Sequence, residues 1–173
     1  MKFVAICNAG FEDICKDEVK RILPKAKQIS IEEEIVSFDA CKQDVVLYIY
    51  RAQGPKRVLA FITESACTDE KSILATVKKA NFSSITGSFA SRAENSSLER
   101  DIGATIHDTL ENPKVNLKHP DFEIYTHISQ AKAIVGINLT RDMSKRSYKI
   151  FPHSESVKGT LGFFLVKMSD YTG

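Results

Sequence analysis

The sequence lacks most of the residue patterns that mark a metal-binding, secreted or membrane protein. Its four cysteines, at positions 7, 15, 41 and 67, form no Cys-x-x-Cys pair, which argues against a zinc site and for a reducing compartment. No apolar run reaches the ~18 residues that a membrane-spanning helix needs, and the N-terminus turns charged too soon for a secretory signal. We therefore predict a cytoplasmic protein that uses no membrane and no metal, with buried, unreactive thiols.

Patterns of catalysis are equally scarce. The sequence holds no Gly-x-Gly-x-x-Gly fingerprint and no phosphate-binding Gly-Lys-Ser/Thr loop. Its histidines, at positions 107, 119, 127 and 153, are scattered without metal-ligand spacing. His153 directly precedes Ser154, a placement in which base and nucleophile do not usually meet. We predict structural or surface roles for all four histidines and no catalytic residue in this chain.

Basic residues are concentrated in the last third of the chain. Residues 1–64 hold ten Lys or Arg and ten Asp or Glu, whereas residues 114–149 hold seven Lys or Arg and three Asp or Glu. A local basic stripe on a nearly neutral chain is typical of a phosphate-facing surface, although solvated surface charge is the commoner reason for such a run. The densest part is the stretch RDMSKRSYKI, which places a tyrosine among four cations.

The first 64 residues predict strands and helices in the order β-α-β-β-α-β, which is that of a ferredoxin-like unit. The string GFEDICKDEVKRIL places Phe11, Cys15 and Val19 on one helical face, and Pro24 ends that helix. The three glutamates at 32–34 are interpreted as the polar turn of a hairpin rather than as a metal or acid/base cluster. The string KQDVVLYIY is rich in strand-forming residues, but its polar lead-in and the Gly-Pro that follows favour a helix, which we predict.

A second unit is predicted to begin near residues 63–69. Thr68 is a candidate N-cap of its first helix, and a strand follows in ITGSFASRAE. The string SSLERDIGATIHDTLENP predicts the next helix, because Ser96 and Glu99 have capping-box spacing and apolar residues recur on one side. Two further strands, PDFEIYTHIS and KAIVGINLT, complete the unit.

Several strings of this second unit, taken in order, resemble the THUMP domain, an RNA-binding module of tRNA- and rRNA-modifying enzymes. They are the Ser-Phe-Ala-x-Arg strand that ends at Arg92, the Leu-Glu-Arg-x-Ile-Gly helix that begins at Leu98, Val-Asn-Leu at 115–117 and His-Pro-Asp at 119–121. The first 64 residues are similar to the ferredoxin-like domain that precedes THUMP in these enzymes. The implied fold is α+β: an N-terminal ferredoxin-like unit (βαββαβ) followed by an α/β THUMP domain.

The last third resembles the junction between THUMP and the methyltransferase domain of THUMP-containing RNA methyltransferases. That junction carries a Lys-Arg-x-Tyr string, here Lys145, Arg146 and Tyr148. It then has a helix before an Asp-Pro-x-Cys-Gly-x-Gly loop that binds S-adenosylmethionine. The chain ends at Gly173, where the strand of that loop is expected to begin. The resemblance therefore implies that the catalytic domain, and with it S-adenosylmethionine, is absent from this chain.

The resemblance implies three domains: a ferredoxin-like domain at 1–64, a THUMP domain at 65–140, and at 141–173 a basic connector with the first helix of a truncated methyltransferase domain. The chain would then be the RNA-recognition part, binding the tRNA acceptor end, of an S-adenosylmethionine-dependent tRNA or rRNA methyltransferase. The expected RNA-binding residues are Arg92, Arg100, Arg141, Lys145, Arg146, Tyr148 and Lys149.

One departure from the family affects that surface. Between Arg92 and Leu98 this chain has only AENSS, where the family usually has a longer basic loop that contains His and Phe. The resemblance therefore implies that part of the usual RNA surface is missing here and that RNA binding is weakened.

Two other functions fit the sequence. One is a stand-alone adaptor that binds tRNA and delivers it to a separate enzyme, and a reading frame that continues past Gly173 into an Asp-Pro-x-Cys-Gly string would exclude it. The other is a ferredoxin-like protein that binds a metabolite or a protein partner, which the absence of salt-sensitive RNA binding would favour.

The apolar pattern of the last predicted helix indicates that the chain self-associates. In ESVKGTLGFFLVKM one apolar face includes Phe164, while Phe163 and Val166 lie off that face. Apolar residues on more than one side imply more than one packing partner. We expect this helix to be mobile or swapped into a neighbouring chain; the alternative is a monomer in which it folds back onto the THUMP unit.

Overall fold

The computed structural model describes seven ranges of the chain: 1–66, 68–83, 85–93, 96–110, 114–130, 132–145 and 156–169. The described residues form five helices and eight strands, and this mixture of helices and sheet confirms the predicted class. They fall into two compact units. The first joins Met1–Val58 to Leu139–Gly173, and the second is Leu59–Asn138.

The first unit follows the predicted order of elements. Its strands have the order β2-β3-β1-β4, with β1 and β2 each antiparallel to β3. Together with two helices, this is the βαββαβ arrangement of a ferredoxin-like unit. The elements are β1 (Lys2–Ile6), α1 (Glu12–Ile22), β2 (Lys27–Glu32), β3 (Ile35–Asp39), α2 (Lys42–Arg51) and β4 (Arg57–Ser65).

Helix α2 confirms the choice of helix over strand for KQDVVLYIY. Val45 and Tyr48 are three residues apart and both buried, as expected for one face of a helix. Tyr48 packs edge-on against Phe38 of β3, with ring centroids 5.4 Å apart. The packing of this one face outweighs the strand propensity of the β-branched residues, because such propensities are weak next to tertiary contacts.

The glutamates at 32–34 form the turn of the β2–β3 hairpin, as predicted. β2 ends at Glu32 and β3 begins at Ile35, and Glu34 has a positive φ of 61°. The Glu34 amide donates to Oε1 of Glu12 at 2.8 Å, and the Gly10 amide donates to the same oxygen at 3.1 Å. Burial would raise the pKa of Glu12, but these bonds to its charged form hold that pKa below its ordinary value.

The second unit is built on strands in the order β4-β8-β7-β5-β6. β5 runs parallel to β6 and β7, and β8 is antiparallel to β4 and β7. Apolar residues of α3, α4 and the strands form one core, among them Ile73, Val77, Phe89, Ile102, Ile106 and Ile124. The elements are α3 (Glu70–Lys79), β5 (Ser88–Ala93), α4 (Ser96–Thr109), β6 (Lys114–Val115), β7 (Phe122–Ile128) and β8 (Ala133–Asn138).

The two compact units of the structure meet inside β4 and again after β8, while the domain limits expected at residues 64 and 140 stay a prediction. β4 is a single strand whose residues from Leu59 onward pair with β8, so the division falls inside the strand, after Val58. The chain beyond β8 returns to the first unit, because the Leu139 amide donates to the Val58 carbonyl and the Met143 amide donates to the Lys56 carbonyl.

Two residue-level predictions are wrong. Helix α3 is capped by Asp69 and not by Thr68: Oδ2 of Asp69 accepts a hydrogen bond from the Ser72 amide at 2.9 Å. Cys41 is exposed, because it lies at the N-terminal cap of α2 rather than in the core, whereas Cys7 and Cys15 are buried as predicted. Cysteine 67 lies outside the described residues.

Helix α5 (Gly159–Met168) packs on the first unit. Phe164 is fully buried, and its ring stacks on Phe11 with centroids 4.3 Å apart. Leu165, Val166 and Met168 of the same helix are exposed, each by more than half of its surface. Among the described residues, no helix combines the length and the apolar character that crossing a bilayer requires.

Candidate nucleic-acid interface

The structure distributes the predicted RNA-binding residues over both units. Arg92 lies on β5 and Arg100 on α4 of the second unit. Arg141 and Lys145 follow β8 and belong to the first unit. The remaining three predicted residues, Arg146, Tyr148 and Lys149, lie outside the described part of the chain.

Arg92 is held by contacts within its own unit. Its Nη1 lies 3.3 Å from Oε1 of Glu99, and its Nε lies 3.8 Å from Oε2 of Glu123. Its Nη2 donates to the carbonyl oxygen of Leu117 at 2.7 Å. The side chain is only 31% exposed. A guanidinium that already faces two carboxylates and a carbonyl has little capacity left for phosphate, so the geometry gives Arg92 a structural position.

Glu99, predicted as the capping-box glutamate of α4, takes part in the same network. Its Oε2 accepts from the Ala93 amide at 3.2 Å while its Oε1 faces Arg92. The carboxylate therefore joins the first turn of α4 to the end of β5. The short AENSS segment, residues 93–97, runs between these two elements in the sequence.

Arg100 has the opposite character. It lies on the same helix as Glu99 but is exposed, and it makes no hydrogen bond or ion pair to any residue that the structure describes. Since exposed ion pairs contribute little to stability in any case, this cation has no structural role to lose. Arg100 is therefore available to an anionic ligand.

Arg141 and Lys145 are exposed on a segment whose backbone is well anchored. Oγ1 of Thr140 accepts from the Val58 amide at 3.1 Å. The Asp142 carboxylate accepts from both the amide and the hydroxyl of Ser144, at 3.0 and 2.6 Å. Burial would raise the pKa of Asp142, but these bonds and nearby basic residues lower it. The start of the connector is therefore fixed on the first unit, with its two cations directed to solvent.

The segment from Asn116 to His119 is a second well-anchored, basic loop, and none of its residues was among the predicted RNA-binding residues. The Asn116 side chain donates to the carbonyl oxygen of His119 at 2.7 Å and accepts from the amides of Lys118 and His119 at 3.2 and 3.0 Å. Lys118 and His119 are exposed. Their position inside the basic 114–149 region was the available signal.

A groove of about 540 Å³ lies between α4 and the β5–β6 side of the second unit. Its floor and walls are mostly apolar or small, and the guanidinium of Arg100 and the imidazole of His107 lie among them. Val115 and Leu117 are more than half exposed at its edge. The lining residues are Phe89, Ser91, Glu99, Arg100, Gly103, Ala104, His107, Asp108, Val115 and Leu117.

Ser91 lines the groove and carries a buried hydroxyl without a partner. Its side chain is only 5% exposed, and its hydroxyl forms no hydrogen bond with any residue that the structure describes. Leaving a buried hydroxyl unpaired costs roughly 1–3 kcal/mol. Among the described residues, other buried polar atoms share this state but do not line the groove, among them Asn8 Nδ2, Tyr48 OH, Thr126 Oγ1 and Thr160 Oγ1.

The loop before β5 is fixed by Asp121. The Asp121 carboxylate accepts from the amide and the hydroxyl of Ser88, at 2.8 and 2.7 Å. These two bonds lower the pKa of Asp121. Gly87, with φ of 145°, lies against the same carboxylate, a conformation that favours glycine. The carboxylate thus joins the start of β5 to the start of β7.

The described residues contain no cluster of His, Cys, Asp and Glu suited to a metal ion. His107 and His119 are exposed, and His127 is buried in β7; His153 lies outside the described residues. The sequence holds no Asp-Pro-x-Cys-Gly-x-Gly string.

Residues 67–138 match the family model of the THUMP domain. The chain is 25% identical over 187 aligned residues to a tRNA (guanine(6)-N2)-methyltransferase of Archaeoglobus fulgidus, an alignment that covers 99% of this chain and 48% of that protein. It is 34% identical over 94 residues to the protein of the same name in Methanocaldococcus jannaschii, covering 53% of this chain and 23% of the relative.

The fold is also that of a solved structure, a possible methylase from Clostridium difficile 630. The two superpose with a TM-score of 0.75 at 17% identity, over 98% of this chain and 49% of the other. The chain thus spans about half the length of the Archaeoglobus fulgidus protein and about half the length of this structural neighbour.

Proposed function

Because the chain contains a THUMP domain, which confirms the resemblance of its sequence, we propose that it is the RNA-recognition part of a tRNA-modifying methyltransferase. The observation that supports this most is a match over 99% of the chain to a tRNA (guanine(6)-N2)-methyltransferase. We propose that the chain binds the acceptor end of tRNA, that the whole protein works in the cytoplasm, and that the methyl donor S-adenosylmethionine is bound by a part of the protein that this chain does not include.

The physical basis of RNA binding is a set of exposed cations. Arg100 and Lys118 provide such charges in the second unit, and Arg141 and Lys145 provide them in the first. Phosphate contacts of this kind release counterions, so binding weakens with salt at a log–log slope of about −0.7 per contact to single-stranded RNA. We extend the interface to Arg146, Tyr148 and Lys149, because an aromatic ring among cations can stack on an exposed base.

The test is a titration of the whole chain with tRNA at several salt concentrations. We expect Arg100→Ala and Lys145→Ala each to weaken binding and to reduce the salt slope by about one contact, with no change in melting temperature. Lys25→Ala removes an exposed charge outside the interface and serves as the control. Unchanged affinity across salt concentrations, or equal effects of Lys25→Ala and Arg100→Ala, would contradict the proposal.

We also propose that the exposed side of α5 drives self-association. Leu165, Val166 and Met168 present apolar surface there, and apolar patches of this kind mark interaction sites. Light scattering should show a mass that rises with concentration, and Val166→Lys should abolish that rise while Phe164 keeps the helix in place. A monomeric mass at every concentration would exclude this second proposal without affecting the first.

A further inference from the structure

We propose that the thiols of Cys7 and Cys15 form a redox-sensitive pair in the first unit, which a hydroperoxide converts to a disulfide when helix α5 leaves its place. The inference goes beyond the proposed function and does not depend on it, because both thiols and α5 belong to one unit and no RNA contact is involved. Cys41, exposed at the cap of α2, takes no part in the pair.

The two thiols lie in the same part of the core. Both are free and fully buried. Cys7 directly follows β1, whose last carbonyl, that of Ile6, accepts from the Lys56 amide at 2.6 Å. Cys15 comes from α1, and a Cβ placed on Gly54, two residues before Lys56, would lie 2.8 Å from its Sγ. Both thiols therefore lie beside the segment that joins α2 to β4.

The pair is close enough to be linked. The Cys15 thiol is hydrogen-bonded to the Cys7 thiol. A disulfide places its two Cβ atoms ~3.5–4.5 Å apart, so side chains that already share a hydrogen bond reach this geometry by a small movement. The short stretch between β1 and the second turn of α1 is the part of the chain that would adjust.

In the folded protein the pair is protected from reaction. The hydrogen bond to Cys7 and burial raise the pKa of the Cys15 thiol far above its ordinary value, and the carboxylates of Glu18 and Glu12 act in the same direction. Since the thiolate is the nucleophile, a thiol held in its protonated form reacts slowly even beside its partner. Water that reached the site would remove the contribution of burial, so the reactivity of the pair depends on what packs over it.

Helix α5 packs against this part of the core. Its Phe164 ring is fully buried, stacks on Phe11, and has its Cε1 atom 3.3 Å from the same Cβ position on Gly54 that lies close to Cys15 Sγ. The Cys15 amide donates to the Phe11 carbonyl at 3.1 Å, so one turn of the chain carries both the ring on which Phe164 stacks and the thiol. Opening of α5 therefore admits water and oxidant to the pair.

The oxidant is a hydroperoxide, with hydrogen peroxide as the probe. One thiol loses its proton and attacks the peroxide; the O–O bond breaks, water leaves, and that sulfur becomes a sulfenic acid. The second thiol attacks this sulfur, the S–O bond breaks, the S–S bond forms, and a second water leaves. Each sulfur is oxidised by one electron, and the peroxide is reduced to two molecules of water.

The decisive experiment uses the whole chain with Cys41→Ser and Cys67→Ser, so that Cys7 and Cys15 are the cysteines that remain. Dilute protein is exposed to hydrogen peroxide, denatured and alkylated with iodoacetamide. Intact mass spectrometry should show a growing species that has lost two hydrogen atoms and carries no alkyl group, and dithiothreitol before alkylation should reverse it. When Cys7→Ser is added, the mass should rise by oxygen atoms at Cys15 instead.

Two ring variants test the role of α5. Phe164→Leu and, independently, Phe11→Leu each truncate one ring of the stack and should speed disulfide formation about tenfold, because α5 then opens more readily. Lys167→Ala changes an exposed position of the same helix and should keep the rate within about twofold of the unmodified helix. Circular dichroism shows that each variant is folded.

Two results would overturn the inference. Oxygen added to each thiol separately, or a disulfide between two chains in place of one within the chain, would show that Cys7 and Cys15 are not a pair. A rate that is the same in Phe164→Leu, Phe11→Leu and Lys167→Ala would show that α5 does not control the reaction.

Discussion

Two buried polar side chains, one in each unit, are treated in opposite ways. Glu18 in α1 is 3% exposed and yet fully used: its Oε1 accepts from the Gln53 amide at 3.0 Å, its Oε2 accepts from the Gly54 amide at 2.9 Å, and Arg21 lies 3.5 Å away. Ser91 in β5 is 5% exposed and forms no side-chain bond with any described residue.

The difference follows from what each group costs to bury without a partner. A buried carboxylate without partners would be too costly to keep, so Glu18 is surrounded by donors and ties α1 to the turn after α2. A hydroxyl costs less to leave unpaired, so the fold tolerates the buried Ser91 side chain without a partner. Mutations at the two sites should therefore change stability in opposite directions.

The largest effect should come from Glu18→Ala. It removes the carboxylate that accepts from the Gln53 and Gly54 amides, and we expect a loss of about 3 kcal/mol in the free energy of unfolding. Urea denaturation measures it. Glu33→Ala, which truncates an exposed glutamate in the hairpin turn, should stay within about 0.5 kcal/mol of wild type. Equal stability of the two variants would contradict the claim that the Glu18 carboxylate stabilises the first unit.

A smaller effect on stability should come from replacing two glycines by alanine, one beside Glu18 and one distant from it. A Cβ on Gly54 would lie 2.8 Å from Cys15 Sγ and 3.1 Å from Glu18 Oε2, so Gly54→Ala should cost about 1–3 kcal/mol through overpacking. A Cβ on Gly162 in α5 meets nothing within 4 Å, so Gly162→Ala should stabilise the helix by roughly 0.5–1 kcal/mol. Thermal unfolding of the pair checks the sign of each change; a stabilised Gly54→Ala would show that the packing around Glu18 is loose.

The smallest effect concerns pH and tests whether Asp121 belongs with Glu18 as a group that builds the fold. Because its bonds to Ser88 lower the folded pKa of Asp121 below the unfolded value, its contribution is present above the unfolded pKa, near 3.9, and is lost as pH falls through the folded pKa. The melting temperature of the wild type should fall between pH 6 and about pH 2–3, and that of Asp121→Asn should fall by less over the same range. Parallel melting curves for wild type and variant would contradict this assignment.

Much of the fold could be predicted because its signals are local. The order of strands and helices in the first unit follows from short periodic runs, and α2 was separated from a strand by its flanking residues. The boundary inside β4 could not be found in this way, because it depends on which strand pairs with the later half of β4, and that partner, β8, is distant in sequence.

The candidate site was harder to predict because type and spacing do not reveal burial or pairing. From the sequence, Arg92 and Arg100 are two similar candidates for RNA binding. In the structure Arg92 forms ion pairs with Glu99 and Glu123, whereas Arg100 is exposed. Glu18 reads as a solvated helix residue, yet it is buried because the turn at 53–54 supplies two amides. Ser91 gave no signal beyond its place in a strand, since a hydroxyl is common on either face. The neighbouring small residues Gly103 and Ala104 were the closest available hint of a groove.

The order in which the first unit is synthesised follows from its split chain. Residues 1–58 leave the ribosome first, the whole second unit comes next, and α5 with Phe164 comes later. Until then the ring of Phe11, on which Phe164 stacks, and the turn at Gly54, which lies near the Phe164 ring, lack this packing partner. A nascent chain therefore carries an apolar opening for as long as the second unit is being made, and chaperone binding during translation should concentrate on Phe11 and the turn at Gly54.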